Sequence, residues 1–383
     1  MSLRTAALLI TGGEGYGVGR SWRTIAAALP GRGFRPLALS VGDGALVDAL
    51  RDEGTEVLSR GRRAGLLKGG VAGKLARLPL IAMDQVPHLL WVVRRLREAR
   101  AEALFTSAPD LVPLAAVAGR IVGVKSFWLM ANDVSSGYPL DLNRRVYAAA
   151  IGLGLRPIAN SRWTLGTLGK AARSGAVVHR GVPPLADSPE GEAITVRAEV
   201  GAEPGDAVFA ICARLTPDKG QDVFIQALER ARPGLDGVRL LIVGGPLDTP
   251  FARRLAESAA ASGGRIRLLG PRDDVPAILA ASDVPVNSRL GGEPFGLSVI
   301  EGLRAGRPVL AHRLGGPGET VRDGETGWLV NSPTVEAFEG GVRRALADRP
   351  RWSAMGEAAR RDFAARFTDE AMMDALGRET GLW

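Results

Sequence analysis

The chain has 383 residues, of which 46% are hydrophobic and 23% charged, and Cys212 is its single cysteine. That is long for one compact domain and sufficient for two of about 150–190 residues, each with its own core. The composition excludes a disordered chain, the lone thiol excludes an internal disulfide and points to a reducing compartment, and no apolar run approaches the ~18–20 residues that span a bilayer.

The net charge of +8 is unevenly spread: residues 1–182 hold 25 Lys/Arg against 12 Asp/Glu, and residues 183–383 hold 24 against 29. A basic half calls for an anionic counterpart, and nucleic acid, an anionic membrane surface and a phosphorylated substrate all satisfy it. The opening MSLRTAALLITGG is too short and lacks the cleavage site of a signal peptide, so it reads as a buried first strand of a cytoplasmic protein.

Short apolar runs predict strands at Ala6–Thr11, Pro36–Val41, Glu56–Ser59, Ala103–Ser107, Ser126–Met130 and Pro157–Ala159. Between them, helical periodicity predicts Ser21–Leu29, Ala45–Glu53, Val86–Arg100, Leu111–Val122 and Leu142–Leu153. This alternation is that of βαβ units around a parallel sheet. Residues 184–205, rich in Pro, Gly and acidic side chains, read as a linker with one weak helical segment. The alternation then restarts, with strands at Val208–Ala213, Arg239–Val243, Ile266–Leu269, Val284–Asn287 and Pro308–Ala311. Its helices fall at Gln221–Arg230, Pro250–Ala261, Val275–Ala281 and Phe295–Arg304, and three more follow from about Pro333. The expected organisation is a Rossmann-like domain over 1–183, the linker, a second Rossmann-like domain over 206–366, and a C-terminal helix within 367–383 for which packing back on the first domain is one arrangement.

Three segments of the second half carry the chemistry. GGEPFGLSVIEGLRAGRPVLA, from Gly291 to Ala311, reads as a loop, a helix and a buried strand. Free N–H groups of Gly296, Leu297 and Ser298 at the helix start can hold an anion. Glu293 lies just outside that helix and Glu301 about two turns along, placed to meet a sugar and the vicinal hydroxyls of a ribose. In ICARLTPDKGQD, Arg214 and Lys219 follow a strand end and can neutralise a diphosphate. In LGGPGETVRDGETGWLV, Gly315 and Gly316 permit close backbone approach and Glu319 opens a short helix. Taken singly, each segment also fits a solvated surface helix, a polar loop or a turn.

Together and in this order the three segments resemble the retaining glycosyltransferases of the GT-B fold, specifically glycosyltransferase family 4. The resemblance is strong over about residues 205–332 and weaker before them. It implies an α/β protein of two Rossmann-like domains facing across a cleft, with Arg214 and Lys219 on the donor diphosphate and Glu301 on the nucleotide ribose. Glu293 would then lie beside the donor sugar as the catalytic residue, with Gly296, Leu297 and Ser298 binding the donor. Gly244, Gly315, Gly316 and Glu319 are weaker candidates, either donor-binding or structural. The acceptor side is assigned Gly17 and Gly19 of the loop GGEGYGVGRSW, which fails the G-x-G-x-x-G dinucleotide pattern in both registers, and Asn132.

Asn132-Asp133 and Thr106-Ser107 stand where family members often carry histidine, a departure that bears on acceptor chemistry. His179 falls in a turn variant. The family implies retention of anomeric configuration with no metal and no cofactor, the nucleotide sugar being a substrate. No Asp-x-Asp occurs, and His88, His179 and His312 are dispersed.

The resulting expectation is transfer from a nucleoside-diphosphate sugar to a glycan, lipid-linked or small-molecule acceptor, in envelope polysaccharide or glycoconjugate synthesis. An epimerase or phosphorylase of the same fold, or a catalytically silent sugar-nucleotide-binding protein, are the competing readings. Six basic and no acidic residues between Arg60 and Arg77 fit peripheral contact with an anionic membrane at its inner face, or a solvated loop. The aromatic residues of the basic half form no stacking run, which argues against nucleic acid.

Overall fold

The structure is a computed structural model that describes residues 3–61, 78–134, 141–185, 190–231 and 237–383, without the side chains of Tyr16, residues 78–84 and Glu190. Most of the basic segment, residues 62–77, therefore lies outside the described residues. The chain divides into two compact units, Met1–His179 with Met372–Trp383, and Arg180–Ala371.

The N-terminal unit contains the strands β1 (Arg4–Ile10), β2 (Phe34–Ser40), β3 (Glu56–Ser59), β4 (Ala101–Thr106), β5 (Lys125–Met130), β6 (Leu155–Ala159) and β7 (Ala176–Val177). They form one sheet in the order β3-β2-β1-β4-β5-β6-β7, and every adjacent pair is parallel. Successive side chains of β1 point to opposite faces, so Ala7 and Leu9 join one core and Ala6, Leu8 and Ile10 another. Both faces being covered, the strands read as unbroken apolar runs.

The C-terminal helix Asp369–Thr380 contributes Met372, Met373 and Leu376 to the second of these cores. Arg4 donates to the Leu382 carbonyl at 2.8 Å, and the Trp383 ring meets Phe34 edge-on.

The C-terminal unit repeats the plan with β8 (Ala207–Cys212), β9 (Val238–Val243), β10 (Ile266–Gly270), β11 (Val284–Asn287), β12 (Val309–His312) and β13 (Gly327–Val330). Their order is β10-β9-β8-β11-β12-β13, again with every adjacent pair parallel. This is the doubly wound arrangement whose strand order reverses between the first and fourth strands, here β8 and β11. Outward connections from these two strands run in opposite directions, which opens a crevice beyond their carboxyl ends.

Several expectations shift. The segment expected as a linker contains the helix Glu190–Glu199, whose Ala193 and Val196 pack with Val208 and Ala210 of β8. Arg197 ties it further by donating to the carbonyls of Ala281 and Asp206. These residues thus build the core of the C-terminal unit. The helix expected from Val86 begins at Leu78, because Pro87 lies on its exposed face, where the carbonyl it leaves unpaired can meet water. The two-residue β7 carries too little pattern to be read as a strand, and β13 adds a strand beyond those expected.

Candidate functional site

The carboxyl ends of β8, β11 and β12 bring most of the expected C-terminal residues to one rim. Lys219 ends the short 3-10 turn Pro217–Lys219 after β8, and the loop after β11 carries Glu293. The Lys219 Nζ donates to Glu293 Oε2 at 2.9 Å, with side-chain exposures of 16% and 12%. A pair so enclosed is screened less than a surface ion pair, so each partner orients the other.

The two loops are also stitched through their backbones. Ser288 Oγ donates to the Lys219 carbonyl at 2.8 Å, and the Leu290 N–H to the Asp218 carbonyl at 2.9 Å. Gly220 has φ +66°, and a Cβ there would strike the Ser288 carbonyl. Glycine is needed at that crossing on both counts. Arg214, on the same loop as Lys219, is exposed, and its carbonyl accepts from Gln221 Nε2 at 2.7 Å.

Glu293 is held from behind by the loop after β12. Its N–H donates to the Leu314 carbonyl at 3.1 Å, and its carbonyl accepts from the Gly316 N–H at 2.7 Å. A Cβ on Gly315 would meet the Glu293 backbone, and one on Gly316 the Phe295 backbone. Gly315 and Gly316 therefore let two main chains lie in contact. Gly244 has the same part between the loops after β9 and β8, since a Cβ there would strike the Ala213 carbonyl. Glu319 sits half-buried in the helix Pro317–Thr320, and its carbonyl accepts from Arg366 at 2.7 Å.

Gly296 has φ +89° and caps the helix Leu297–Arg304, which starts two residues later than the expected Phe295. The first internal bonds run from the Val299 and Ile300 N–H groups to the Gly296 carbonyl. The N–H groups of Leu297 and Ser298 precede them and give this end its positive character. The Ser298 hydroxyl is engaged, accepting from Asn287 Nδ2 at 3.3 Å. Glu301, on the second turn, lies close enough to Cys212 at the end of β8 to act on its thiol. Burial first, then the Glu301 charge, push that thiol up to about 12.

Two residues of this rim escaped the sequence reading. Arg289 Nη1 lies 3.5 Å from Glu293 Oε2, so the carboxylate stands between two cations. The Arg289 carbonyl is in turn 3.2 Å from His312 Nδ1 at the end of β12. Burial lowers the His312 pKa, which keeps the ring neutral at physiological pH. Neither contact follows from spacing, because the loop joining Arg289 to Glu293 is not helical.

The N-terminal candidates lie on a different kind of surface. Gly17 and Gly19 fall inside the helix Tyr16–Ala28, and the Gly19 N–H is engaged with the Gly15 carbonyl. The glycine-rich loop itself, Gly12 to Gly15, packs on the loop after β2, where a Cβ on Gly12 would lie 2.9 Å from the Gly42 carbonyl. Asn132 follows β5 and is exposed. Among the described residues, no three His, Cys, Asp or Glu side chains gather as around a metal ion, and no helix is long and apolar enough to cross a membrane.

Two doubly wound units, the second with the Glu293 carboxylate between two cations at its switch point, define an α/β protein with the GT-B type of fold. Residues 193–362 match the model of the family described as glycosyl transferases group 1.

Similar sequences include the D-inositol 3-phosphate glycosyltransferase of Nocardia farcinica, 34% identical over 258 residues, covering 64% of this chain and 56% of the relative. The GDP-mannose-dependent alpha-(1-6)-phosphatidylinositol monomannoside mannosyltransferase of Mycolicibacterium smegmatis is 37% identical over 164 residues, 41% of this chain and 43% of that one. The chain thus spans about half the length of these relatives. Among solved structures, Anabaena HepE in complex with UDP matches with a TM-score of 0.83 at 20% identity over 100% of both chains. A glycosyltransferase from Rickettsia africae matches at 0.82 and 19%, over 100% of this chain and 99% of the other.

Proposed function

We propose that this protein is a retaining, metal-independent glycosyltransferase that moves a sugar from a nucleoside-diphosphate sugar to a glycan, lipid-linked or small-molecule acceptor. The observation that carries the reading is the Lys219–Glu293 pair at 2.9 Å on the rim where β8 and β11 diverge. A diphosphate arriving there competes with Glu293 for Lys219, while Arg289 stays on the carboxylate. As the glycosyl bond breaks, negative charge grows on the diphosphate. Arg214, Lys219 and the N–H groups of Leu297 and Ser298 are the groups that would neutralise it.

Glu293 would lie beside the sugar, where positive charge develops. The acceptor hydroxyl attacks from the face the diphosphate leaves, and its proton passes to the departing phosphate oxygen. Glu301 holds the ribose hydroxyls. The protein would work in the cytoplasm, its basic segment 60–77 meeting the anionic inner face of the membrane.

The names of the relatives and neighbours make GDP-mannose and UDP sugars the first donors to test, and inositol phosphates the first acceptors. Replacing a carboxylate that accepts from two hydroxyls removes roughly 1.5–3 kcal/mol. Glu301→Ala should therefore weaken donor binding about 10–100-fold in calorimetric titration. Unchanged affinity would remove the ribose assignment, and no binding of any nucleotide sugar by the wild type would remove the whole reading.

A further inference from the structure

Among the described residues, buried charges are matched, with one exception. Asp362, 4% exposed, is paired with Arg322 and Arg366, and Asp206, 8% exposed, with Arg239. Arg180 is equally enclosed at 9% exposure. It forms no ion pair or side-chain hydrogen bond with any of the described residues. Burial pushes its guanidinium down to about 10, so it remains a cation at neutral pH. A buried cation without a counter-charge is costly, and a fold keeps one where something else supplies the anion.

The main chain holds Arg180 in place. A Cβ on Gly181 would strike the Thr368 carbonyl, so the two backbones touch. The Val182 N–H donates to the Phe367 carbonyl at 2.9 Å, and its side chain packs with Phe295, Val299 and Leu303. Arg304 Nη1 donates to the Pro183 carbonyl at 3.0 Å. Three residues of chain reach at most about 11 Å, so Arg180 stays near the helix Leu297–Arg304, whose last residue holds Pro183.

We propose that Arg180 is an anion-binding residue of the C-terminal unit whose guanidinium takes a phosphate group of a substrate. The group comes either from the donor diphosphate or from a phosphorylated acceptor. Its identity as phosphate rests on the glycosyl-transfer reading, whereas the need for an anion rests on the burial of Arg180 alone.

The test compares the full-length wild type with Arg180→Met and Arg180→Lys, by thermal unfolding and by titration with inorganic pyrophosphate, UDP, GDP and D-inositol 3-phosphate. Arg180→Met keeps the stem and removes the buried charge, so its Tm should equal or exceed that of the wild type. Its affinity for at least one probe should fall tenfold or more, with Arg180→Lys intermediate. Loss confined to pyrophosphate and the nucleotides assigns the donor; loss confined to the inositol phosphate assigns the acceptor.

Arg180→Met binding every probe as tightly as the wild type would overturn the proposal, whatever its Tm. Should the wild type bind no nucleotide, the glycosyl-transfer reading falls, while the pyrophosphate arm still judges Arg180.

Discussion

The two units share one strand order and one way of covering a sheet, yet their switch points differ in kind. In the C-terminal unit the loops after β8 and β11 carry Lys219, Arg289 and Glu293, with both cations within 3.5 Å of the Glu293 carboxylate. In the N-terminal unit the ends of β1 and β4 carry glycines packed on the loop after β2, the Glu14 carboxylate accepting from the Thr11 N–H at 2.6 Å, and a buried bond from Trp22 Nε1 to Ser107 Oγ at 2.9 Å. The difference shows that the doubly wound fold supplies a crevice and nothing more. The loops decide whether it holds a charged ligand.

Substitutions in the two rims should break this comparison if it is wrong. The largest effect is expected at the C-terminal one. Glu293→Gln or Lys219→Ala should lower the turnover of sugar transfer by about 100–1,000-fold, as losing one preorganised charge does, with Tm nearly unchanged. Transfer rates within threefold of the wild type would mean that the pair is structural.

Next comes the support beneath it. Gly315→Val places a branched side chain against the Glu293 backbone at φ +102°, which should cost about 2 kcal/mol or more. Denaturant titration reads the loss, and a midpoint unchanged from the wild type would show that the two loops separate freely.

At the N-terminal rim, Ser107→Ala leaves the Trp22 N–H unpaired and should cost about 1 kcal/mol with nucleotide affinity unaltered. A fall in that affinity would blur the distinction between the rims.

The smallest effect concerns His312. Its folded pKa lies below the usual 6.5, so as pH falls through that value the unfolded chain takes up a proton that the folded one refuses. Stability present above about pH 6.5 should therefore decline on acidification. His312→Asn, neutral throughout, should flatten this slope in melts between pH 7.5 and 5.5; an identical slope would place the titration elsewhere.

The sequence by itself determined the elements and the types of residue in the C-terminal rim. Apolar runs that must be buried on both faces mark parallel strands, and a glycine before an amphipathic run marks a helix start, because these are properties of the local chain. Arg214, Lys219, Glu293 and Glu301 could be picked out by their positions beside such ends.

Tertiary structure decided the rest. Only the crossing of the loops after β8, β11 and β12 shows that Lys219 reaches Glu293, that Arg289 stands on its other side, and that Gly315 and Gly316 serve backbone contact. The residues concerned lie up to 74 positions apart, and no periodicity encodes a meeting between loops. The same holds for Arg180: burial, and the lack of a counter-charge among the described residues, arise from packing, and neither is a property of its neighbours in sequence.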